Sequence, residues 1–213
     1  GSAVTYLENA RTEGASGSWN TAVDFLYRQA EDPERLFVAI LDDDDAWAPT
    51  YLHKCGTLAG DQTLDMVAAD LRRFESLDDA PVTNAAPDSL RPADFLTGNP
   101  GIQGSNLFLR LTVLLAAGGF DEGLPSTTDR DLCIRVAELG TVRYGRLPEA
   151  LVDHFADSGR ERLSTRGSHA KLDGLTAFWQ KYSGRMSVAQ RDAFCDRAAS
   201  LFDWRPMPGP LDR

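Results

Sequence analysis

Four consecutive aspartates, residues 42–45, directly follow an apolar run at residues 36–41. Six such apolar residues predict a strand that is buried on both faces, as at the centre of a parallel sheet. Four neighbouring carboxylates at the end of a buried strand repel one another and lose hydration together, unless a divalent cation binds them. Ligand sites in open α/β sheets lie beyond the carboxyl ends of the strands. The position therefore favours a metal site over a solvated acidic loop.

The charge and composition narrow the classes of partner. The chain has 213 residues and a formal net charge of −10, whereas nucleic acids and anionic membranes select basic surfaces, so we expect neither as a partner. No run of about 20 apolar residues could span a membrane, and no signal peptide is visible. The three cysteines lie far apart without metal-binding spacing, which is typical of reduced thiols in a cytoplasmic protein.

The chain alternates between predicted strands and predicted helices. Besides residues 36–41, strands are predicted at residues 4–7, 66–69, 106–109, 142–144 and 150–152. Helices are predicted at residues 19–26 with Ser16 or Ser18 as the cap, from Pro49 onward, at 111–117 and at 129–139. Residues 77–92 are rich in Asp, Pro and Ala and are interpreted as a surface loop. This alternation predicts an α/β fold.

The last part of the chain has a different pattern. Apolar residues recur at helical spacing at Leu175, Phe178, Trp179 and Tyr182. Ser187 and Gln190 have the spacing of a capping box that opens a second helix. The aromatic stripe is interpreted as a packing face, and a platform on which an acceptor sugar stacks is the alternative. We therefore divide the chain into a sheet domain, residues 1–165, and a C-terminal helical extension, residues 166–213.

Four segments between residue 4 and about residue 165 occur in an order that resembles the family 2 glycosyltransferases. Residues 9–20 are similar to the family's N-x-G-x-x-x-A-x-N stretch, and residues 41–49 to its L-D-x-D-D-x-W-x-P signature, which contains the DXD metal motif. Residues 101–106 resemble the glycine loop before the acceptor-side strand, and residues 118–135 resemble G-G-F-D-E … E-D-x-D-L-x-x-R. The resemblance implies a GT-A fold, which is a Rossmann-like mixed sheet flanked by helices. It also implies transfer of a sugar from a nucleotide-diphosphate sugar to a hydroxyl of an unknown acceptor.

The resemblance implies roles for individual side chains. The donor would be bound by residues of the first two motifs, namely Asn9, Arg11, Gly14, Asn20, Asp42 and Asp43. The acceptor would be contacted by the glycine loop, namely Gln103, Gly104, Ser105 and Asn106. A histidine near the end of GT-A domains often completes the metal site, and His154 is similarly placed. The residues alone leave open an ordinary satisfied or solvated histidine.

Glycosyl transfer needs a neutralised leaving diphosphate. Mn²⁺ or Mg²⁺ meets this need as a Lewis acid. Asp44 is the expected direct ligand, with Asp42 aiding through the ribose or a metal-bound water. Asp45 is expected to cap the next turn instead. Farther along, Arg160 and Arg162 lie in a polar, basic stretch that could close over the diphosphate.

The reaction also needs a base for the acceptor hydroxyl. Asp129 matches the family's catalytic aspartate, although an N-cap role is equally open from the residues alone. A base that deprotonates a hydroxyl for direct displacement predicts inversion of the anomeric configuration. Asp131 and Arg135 lie four residues apart on the same predicted helix and predict a structural ion pair.

Two departures from the family pattern stand out. Thr128 occupies the position of the glutamate that usually precedes the catalytic aspartate. The strand–helix–strand unit with which the family begins has no counterpart before the first motif. We expect a preceding segment or a partner chain to complete the sheet edge beside residues 4–7 or 36–41.

Two other functions are compatible with the acidic cluster. A metal-dependent phosphatase or nucleotidyltransferase would predict further metal carboxylates near Asp70 or Asp94. A catalytically impaired nucleotide-sugar-binding module would act only within a larger assembly. Metal-dependent binding of a nucleotide sugar supports the transferase, and binding of none favours the module.

Overall fold

The computed structural model describes residues 4–76, 78, 80–156 and 168–207. In this part of the chain, helices α1 to α7 span Ala15–Gln29, Tyr51–Asp61, Pro92–Thr97, Leu111–Ala116, Thr128–Glu138, His169–Tyr182 and Val188–Phe202. Strands β1 to β6 span Phe37–Ala39, Asp45–Trp47, Met66–Phe74, Val82–Asn84, Leu107–Arg110 and Tyr144–Phe155. None of the described helices is both long enough and apolar enough to cross a membrane.

The six described strands form one mixed sheet. Their order is β1-β5-β3-β6-β2, and β4 pairs with the second half of β3. The β3–β6 pair is parallel, whereas the β1–β5, β5–β3 and β6–β2 pairs are antiparallel. Helices α3 to α7 pack on one face of this sheet and α2 on the other. The predicted α/β fold with a mixed sheet between helices is therefore confirmed.

The central strand β3 supplies both halves of the core through its two-residue period. Met66 and Ala68 pack into the larger apolar cluster, which contains residues of α3 to α7. Val67, Ala69 and Leu71 point to the opposite face and pack into a smaller cluster with α2. Because successive side chains of a strand alternate between faces, one continuous apolar run fills both clusters.

The apolar run before the acids forms an edge strand rather than a central one. Its strand, β1, pairs with β5 alone among the described residues, and antiparallel. Its pattern still reflects two covered faces, because Val38 packs against the larger cluster and Phe37 and Ala39 against the smaller. The prediction of a central parallel strand was wrong because side-chain burial on two faces does not require a neighbouring strand on each side.

The start of the described chain also differs from prediction. Residues 4–7 are not a strand, and Val4 and Tyr6 are 96% and 84% exposed. The first helix begins earlier than predicted, at Ala15, with Gly14 at its N-cap and no side-chain cap. Ser16 and Ser18 therefore lie inside the helix, where neither can act as the predicted cap.

Two predicted strands join into the single strand β6. The prediction left residues 145–149 between two short strands, whereas the structure continues the strand through them, including Pro148, which cannot donate to a neighbouring strand. The register between β6 and β3 shifts around Asp70, and Pro148 falls within that irregular stretch. Prolines are tolerated at such bulges. In the predicted surface loop, residues 82–84 form β4.

Other element boundaries follow the predicted signals. Helix α4 ends before Gly118 and Gly119, and α5 ends before Gly140. All three glycines have positive φ angles, between 70° and 84°, which other residues adopt at a cost. Helix α7 begins with the predicted capping box of Ser187 and Gln190.

The helical extension shares the core of the sheet domain. Phe178 and Tyr182 are 0% and 1% exposed and belong to the same apolar cluster as Met66. Phe194 of α7 stacks on Phe178, with ring centroids 5.8 Å apart. The interpretation of the aromatic stripe as a packing face is confirmed at these positions.

Asp70 joins three segments where the β3–β6 register shifts. Its two carboxylate oxygens accept hydrogen bonds of 2.8 Å from Nε and Nη2 of Arg146, and Oδ1 also accepts from the backbone of Ala86 at 2.9 Å. Burial raises the pKa of Asp70, but the hydrogen bonds from Arg146 and Ala86 outweigh it and hold the pKa below its ordinary value.

We predict that Asp70→Asn lowers the free energy of unfolding by about 2 kcal/mol at pH 7, because it leaves Arg146 without its buried charged partner. A lowered folded-state pKa stabilises the protein above the unfolded value of about 4, and this stabilisation is lost as the pH falls through the folded value. Urea denaturation at pH 7 and near pH 3 should show the difference from the parent shrinking in acid.

The matched control for this prediction is Asp94→Asn. Among the described residues, Asp94 forms an ion pair with Arg91 alone, whose side chain is 70% exposed, so its loss should change stability by less than about 1 kcal/mol. Equal losses at both positions would contradict the structural role of Asp70.

Candidate functional site

A cavity of about 850 Å³ lies between residues 42–44, the N-terminal turns of α1 and α5, and helices α6 and α7. This volume is within the range of small-molecule binding sites. The ionisable side chains that line it are Glu13, Asp42, Asp43, Asp44, Arg73, Glu122, Asp129, Arg130, His154, Lys171 and Arg197. Its aromatic lining consists of Trp19, Phe194 and Phe202. Acidic and basic side chains therefore line the same cavity.

Residues 42–45 form a turn, called the acidic turn below, at the start of β2. A hydrogen bond of 3.1 Å from the backbone of Asp45 to the carbonyl of Asp42 closes it. Ser105 anchors the turn, because its Oγ accepts from the backbone of Asp42 at 3.1 Å. The Ser105 carbonyl accepts from Trp47 Nε1 at 2.7 Å, immediately beyond the turn.

Three carboxylates of the acidic turn converge. One oxygen each from Asp42, Asp44 and Asp45 lies within 4.8 Å of the others, a group that could hold a metal ion. Burial, and then the negative charges of Asp45, Asp44 and Asp129, raise the pKa of Asp42 to about 6. Hard divalent cations prefer such oxygen ligands and would relieve this repulsion, so the donor set fits Mn²⁺ or Mg²⁺.

Asp45 belongs to this group although the sequence predicted only a capping role for it. Its carboxylate lies 3.0 Å from Nδ1 of His154, directly across the β2–β6 pair, and accepts from the backbone of Phe155 at 3.3 Å. Burial raises the pKa of Asp45, but the hydrogen bonds from His154, Ser105 and Phe155 keep it below its ordinary value. The structure thus places His154 beside a carboxylate of the group, and its role as a metal ligand stays a prediction.

Asp43 differs from its neighbours in the acidic turn. It is exposed, lines the cavity and lies outside the converging group. The turn at residues 42–45 turns its side chain away from the group; strand alternation does not explain this, because the adjacent Asp44 and Asp45 both belong to the group. Its predicted contact with the donor stays a prediction.

Asp129 lines the same cavity as the acidic turn. It is the second residue of α5, whose N-cap is Thr127, so Asp129 is not the N-cap. Its Oδ2 accepts from Asn99 Nδ2 at 2.9 Å, and its Oδ1 accepts from the backbone of Arg130 at 2.8 Å. Burial raises the pKa of Asp129, which brings a carboxylate closer to the working range of a general base.

Asn99 is a positioning residue that the sequence did not suggest. Its Oδ1 accepts from the backbone of Gly101 and Ile102, at 3.0 and 2.9 Å, which fixes the side-chain amide with Nδ2 toward Asp129. Gly101 has a φ of 113°, and a Cβ there would lie 2.3 Å from the carbonyl oxygen of Ala85. The tight turn around Gly101 therefore requires glycine.

The predicted donor residue Asn20 is buried in a structural contact. Its amide donates to the Phe120 carbonyl at 2.8 Å and to Glu122 at 2.7 Å, and its Oδ1 accepts from the backbone of Phe120 at 2.8 Å. Asn20 does not line the cavity. It joins α1 to the loop after Gly119 instead.

Asn9 and Arg11 hold the segment that leads into α1. Asn9 Oδ1 accepts from the backbone of Arg11 and from Thr21 Oγ1, both at 3.0 Å. Arg11 pairs with Asp24 at 2.9 Å and with Glu122 at 2.5 Å. Of the four predicted donor residues before the acidic turn, Gly14 alone lines the cavity.

The predicted acceptor residues divide into two pairs. Gln103 and Gly104 line the cavity, and Gly104 packs next to the Asp42 carboxylate. Ser105 and Asn106 are 1% and 0% exposed, do not line the cavity, and form hydrogen bonds with backbone groups instead. Asn106, for example, donates to the Ala69 and Gly101 carbonyls at 2.7 and 2.9 Å. Neither buried side chain faces the cavity.

Two further predictions concern the diphosphate contacts of Arg160 and Arg162 and the ion pair on α5. Arg160 and Arg162 lie outside the described residues. The predicted ion pair between Asp131 and Arg135 is confirmed at 2.6 Å. Asp131 is 0% exposed and also accepts from Tyr182 Oη at 2.7 Å, which leaves it no free face toward the cavity.

The carboxylates that a phosphatase or nucleotidyltransferase would add are absent from the described cavity. Asp70 is held by Arg146, and Asp94 is paired with Arg91. Neither aspartate lies in the converging group or among the lining residues. This arrangement disfavours that class of enzyme.

No protein-family model matches the sequence, and no curated protein sequence matches it either. Solved structures do match. S. aureus TarS residues 1–349, in complex with UDP-GlcNAc, is 16% identical with a TM-score of 0.54, and the match covers 88% of this chain and 53% of that chain. The mannosyltransferase PcManGT from Pyrobaculum calidifontis, in complex with GDP-Man and Mn²⁺, is 19% identical with a TM-score of 0.51, covering 92% and 57%.

These likenesses concern the fold. The chain spans about half the length of the glycosyltransferase structures that it matches. Within the aligned part, it shares their mixed α/β architecture at low sequence identity. The chain therefore has a glycosyltransferase fold of the GT-A type.

Proposed function

We propose that this chain carries the active site of a glycosyltransferase that moves a sugar from a nucleotide-diphosphate sugar to an acceptor hydroxyl, with inversion. The observation that carries the proposal is that Asp129 lines the same cavity as Asp42 and Asp44. Asp129 is also close enough to raise the pKa of Asp42. A base and a cation site that face one cavity are the two groups that this reaction needs. The complexes of the matched structures with UDP-GlcNAc and GDP-Man support the substrate class.

In this proposal, Asp42, Asp44 and Asp45 hold Mn²⁺ or Mg²⁺. When bound, the cation supplies Lewis-acid neutralisation of the diphosphate. His154 keeps Asp45 in place through the contact at Nδ1. Ser105 holds the backbone of the turn, so its contribution to catalysis is positional.

Asp129 accepts the proton of the acceptor hydroxyl. The freed oxygen forms a bond to the anomeric carbon while the bond from that carbon to the diphosphate oxygen breaks, and the electron pair leaves with the diphosphate. This single displacement inverts the anomeric configuration. The Asn99 amide fixes the orientation of the Asp129 carboxylate, which favours a productive geometry before substrate arrives.

The donor diphosphate lies between the acidic turn and the start of α1 in this proposal. Gly14, Ala15 and Ser16 line the cavity at the N-terminal turn of that helix, which has no side-chain cap. The backbone N–H groups of a first helical turn and the helix dipole favour phosphate there. Asn9, Arg11 and Asn20 then act indirectly, by holding the segment before the helix.

A further element beside β1 belongs to the same proposal. Among the described strands, β1 pairs with β5 alone and its other edge has no partner strand. We expect another segment of the protein, or a partner chain, to pair with that edge and complete the donor pocket. If this element is required for donor binding, the chain by itself would behave as the catalytically impaired module.

Calorimetry with UDP-, GDP- and dTDP-sugars tests the function directly. Titrations with MnCl₂ and with EDTA should show metal-dependent binding of at least one nucleotide sugar. Binding of none, with the protein folded by circular dichroism, would contradict a transferase site in this chain and favour the module.

We predict that Asp129→Asn retains binding of that nucleotide sugar and lowers the rate of transfer by about 10²- to 10⁴-fold, because the amide cannot accept a proton. The variant keeps the size of the side chain, and thermal unfolding checks its fold. Single-turnover transfer and calorimetry separate the two effects. Unchanged transfer would mean that Asp129 is structural, and a product with retained configuration would exclude this single displacement.

We also predict that Asp42→Asn weakens Mn²⁺ binding by at least about 10- to 100-fold. This is the usual cost of losing an outer-shell partner of a metal site, and a direct ligand should cost no less. Electron paramagnetic resonance of free Mn²⁺, with and without UDP, measures the affinity. In the titrations without UDP, Asp43→Asn is the matched control, since it removes the same charge from the next position outside the converging group. Equal affinities for Asp42→Asn and the parent would reject the metal assignment.

A further inference from the structure

Three basic side chains line the cavity on the side formed by helices α5, α6 and α7. They are Arg130, Lys171 and Arg197, one from each helix. None of them has an ion pair within the described residues. The chain has 32 acidic residues against 22 basic ones, so acidic partners are plentiful elsewhere. A basic cluster that makes no ion pair with a described carboxylate is therefore unexpected in so acidic a chain.

The three cations are close enough to repel one another. Burial, together with the positive charges of Arg130 and Arg197, lowers the pKa of Lys171 to about 8, although the charge of Asp129 opposes this. Burial likewise lowers the pKa of Arg130 to about 10. Asp129 is the one carboxylate that acts on both Lys171 and Arg130 among the described residues. An additional anion in the cavity would relieve the remaining repulsion.

The three basic side chains differ in how extensively they contact the rest of the protein. Arg130 is 7% exposed, donates to the Phe95 and Leu96 carbonyls, and lies over the Phe178 ring at 4.2 Å. Lys171 lies over the Phe202 ring at 4.5 Å and has no hydrogen bond from Nζ within the described part. Arg197 is exposed on α7. Lys171 and Arg197 are therefore the members that are available to a ligand.

Asp129 lines the same cavity as both the acidic turn and the basic cluster. Its charge raises the pKa of Asp42 and also that of Lys171. The cavity therefore has an acidic end at the acidic turn and a basic end at the cluster, and Asp129 is within electrostatic reach of both. If the donor diphosphate occupies the acidic end and Asp129 takes the proton of the acceptor, the basic end faces the rest of the acceptor.

We infer that Lys171 and Arg197, with Arg130 behind them, bind an anionic group of the acceptor, so that the acceptor is a hydroxyl compound that carries a phosphate or a carboxylate. This inference rests on the proposed function and names the chemical class of its second substrate. A planar guanidinium and an ammonium together suit either anion through charge-assisted hydrogen bonds. The shared requirement is a negative charge close to the hydroxyl that is glycosylated.

A matched set of three small probes tests the inference. Glycerol 3-phosphate, glycerate and glycerol share hydroxyl groups and differ in charge and in the type of anion. Each is titrated into the protein in EDTA at constant ionic strength, with binding followed by NMR, so that neither metal nor donor contributes. At least one anionic probe should bind in the millimolar range, and glycerol should bind at least about 10-fold more weakly. Equal binding of glycerol and both anions, or binding of none, would overturn the inference.

The variants Lys171→Met and Arg197→Gln locate the binding. Methionine keeps an unbranched stem against Phe202, and Arg197 is exposed, so both variants should fold, which thermal unfolding checks. Each should weaken binding of the anionic probe by about 10-fold, as expected for a lost charged hydrogen bond. Arg191→Gln is the matched control, because Arg191 is on the same helix and does not line the cavity. Parent-like binding by both cavity variants would reject the cluster as the site.

Titration of the nucleotide sugar in MnCl₂ separates this inference from the proposed function. If Lys171→Met and Arg197→Gln weaken donor binding as much as anion binding, the cluster serves the donor diphosphate and the acceptor assignment is wrong. If the parent protein binds the anionic probe but no nucleotide sugar, the proposed function fails and the acceptor assignment falls with it, although the anion site stands. Loss of anion binding with donor binding intact supports the inference.

Discussion

The candidate site depends on how the structure holds several like charges close together in the acidic turn. The acidic turn places three carboxylates within 4.8 Å of one another. It is restrained by the hydrogen bond that Ser105 Oγ accepts from the Asp42 backbone and by the contact of His154 with Asp45, while Trp47 holds the Ser105 carbonyl. His154 is on β6, which pairs with the central strand β3 along its length, and His154 itself is paired with Arg73. The position of the acids is thus fixed by the core. The turn cannot relax to separate its charges without losing sheet contacts, and this is the condition under which cation binding is most favourable.

Much of the fold could be predicted from local signals. The glycines after α4 and α5 and the capping box of α7 mark helix ends through backbone preferences that depend on a few neighbouring residues. The errors have a common cause. Two apolar faces around Val38 are compatible with a central or an edge strand, and Pro148 is compatible with a chain break or a bulge. In each case the deciding factor is which distant segment lies alongside, and periodicity carries no information about that.

The candidate site likewise contains residues that could be predicted from the sequence and residues that could not. The acidic tetrad and Asp129 could be selected by residue type and motif order, and the structure brings both to one cavity. Asn20 and Asn106 share the chemistry of ligand-binding amides, yet both are buried and bonded to backbone. Sequence alone does not distinguish an amide that binds substrate from one that joins two loops. No sequence motif pointed to Lys171 or Arg197, because these side chains come near Asp129 only when α6 and α7 pack against α5.

The contact between α1 and the loop after α4 has a consequence for how such sequences can diverge. Gly119 has a φ of 70°, and a Cβ at this position would lie 2.6 Å from Asn20 Oδ1. Asn20 can therefore keep this contact only while position 119 is glycine. A related sequence with a side chain at position 119 would have to give up the asparagine at position 20 as well. Substitutions at these two positions, 99 residues apart along the chain, should therefore be inherited together, and the contact between α1 and this loop would be preserved or lost as one unit.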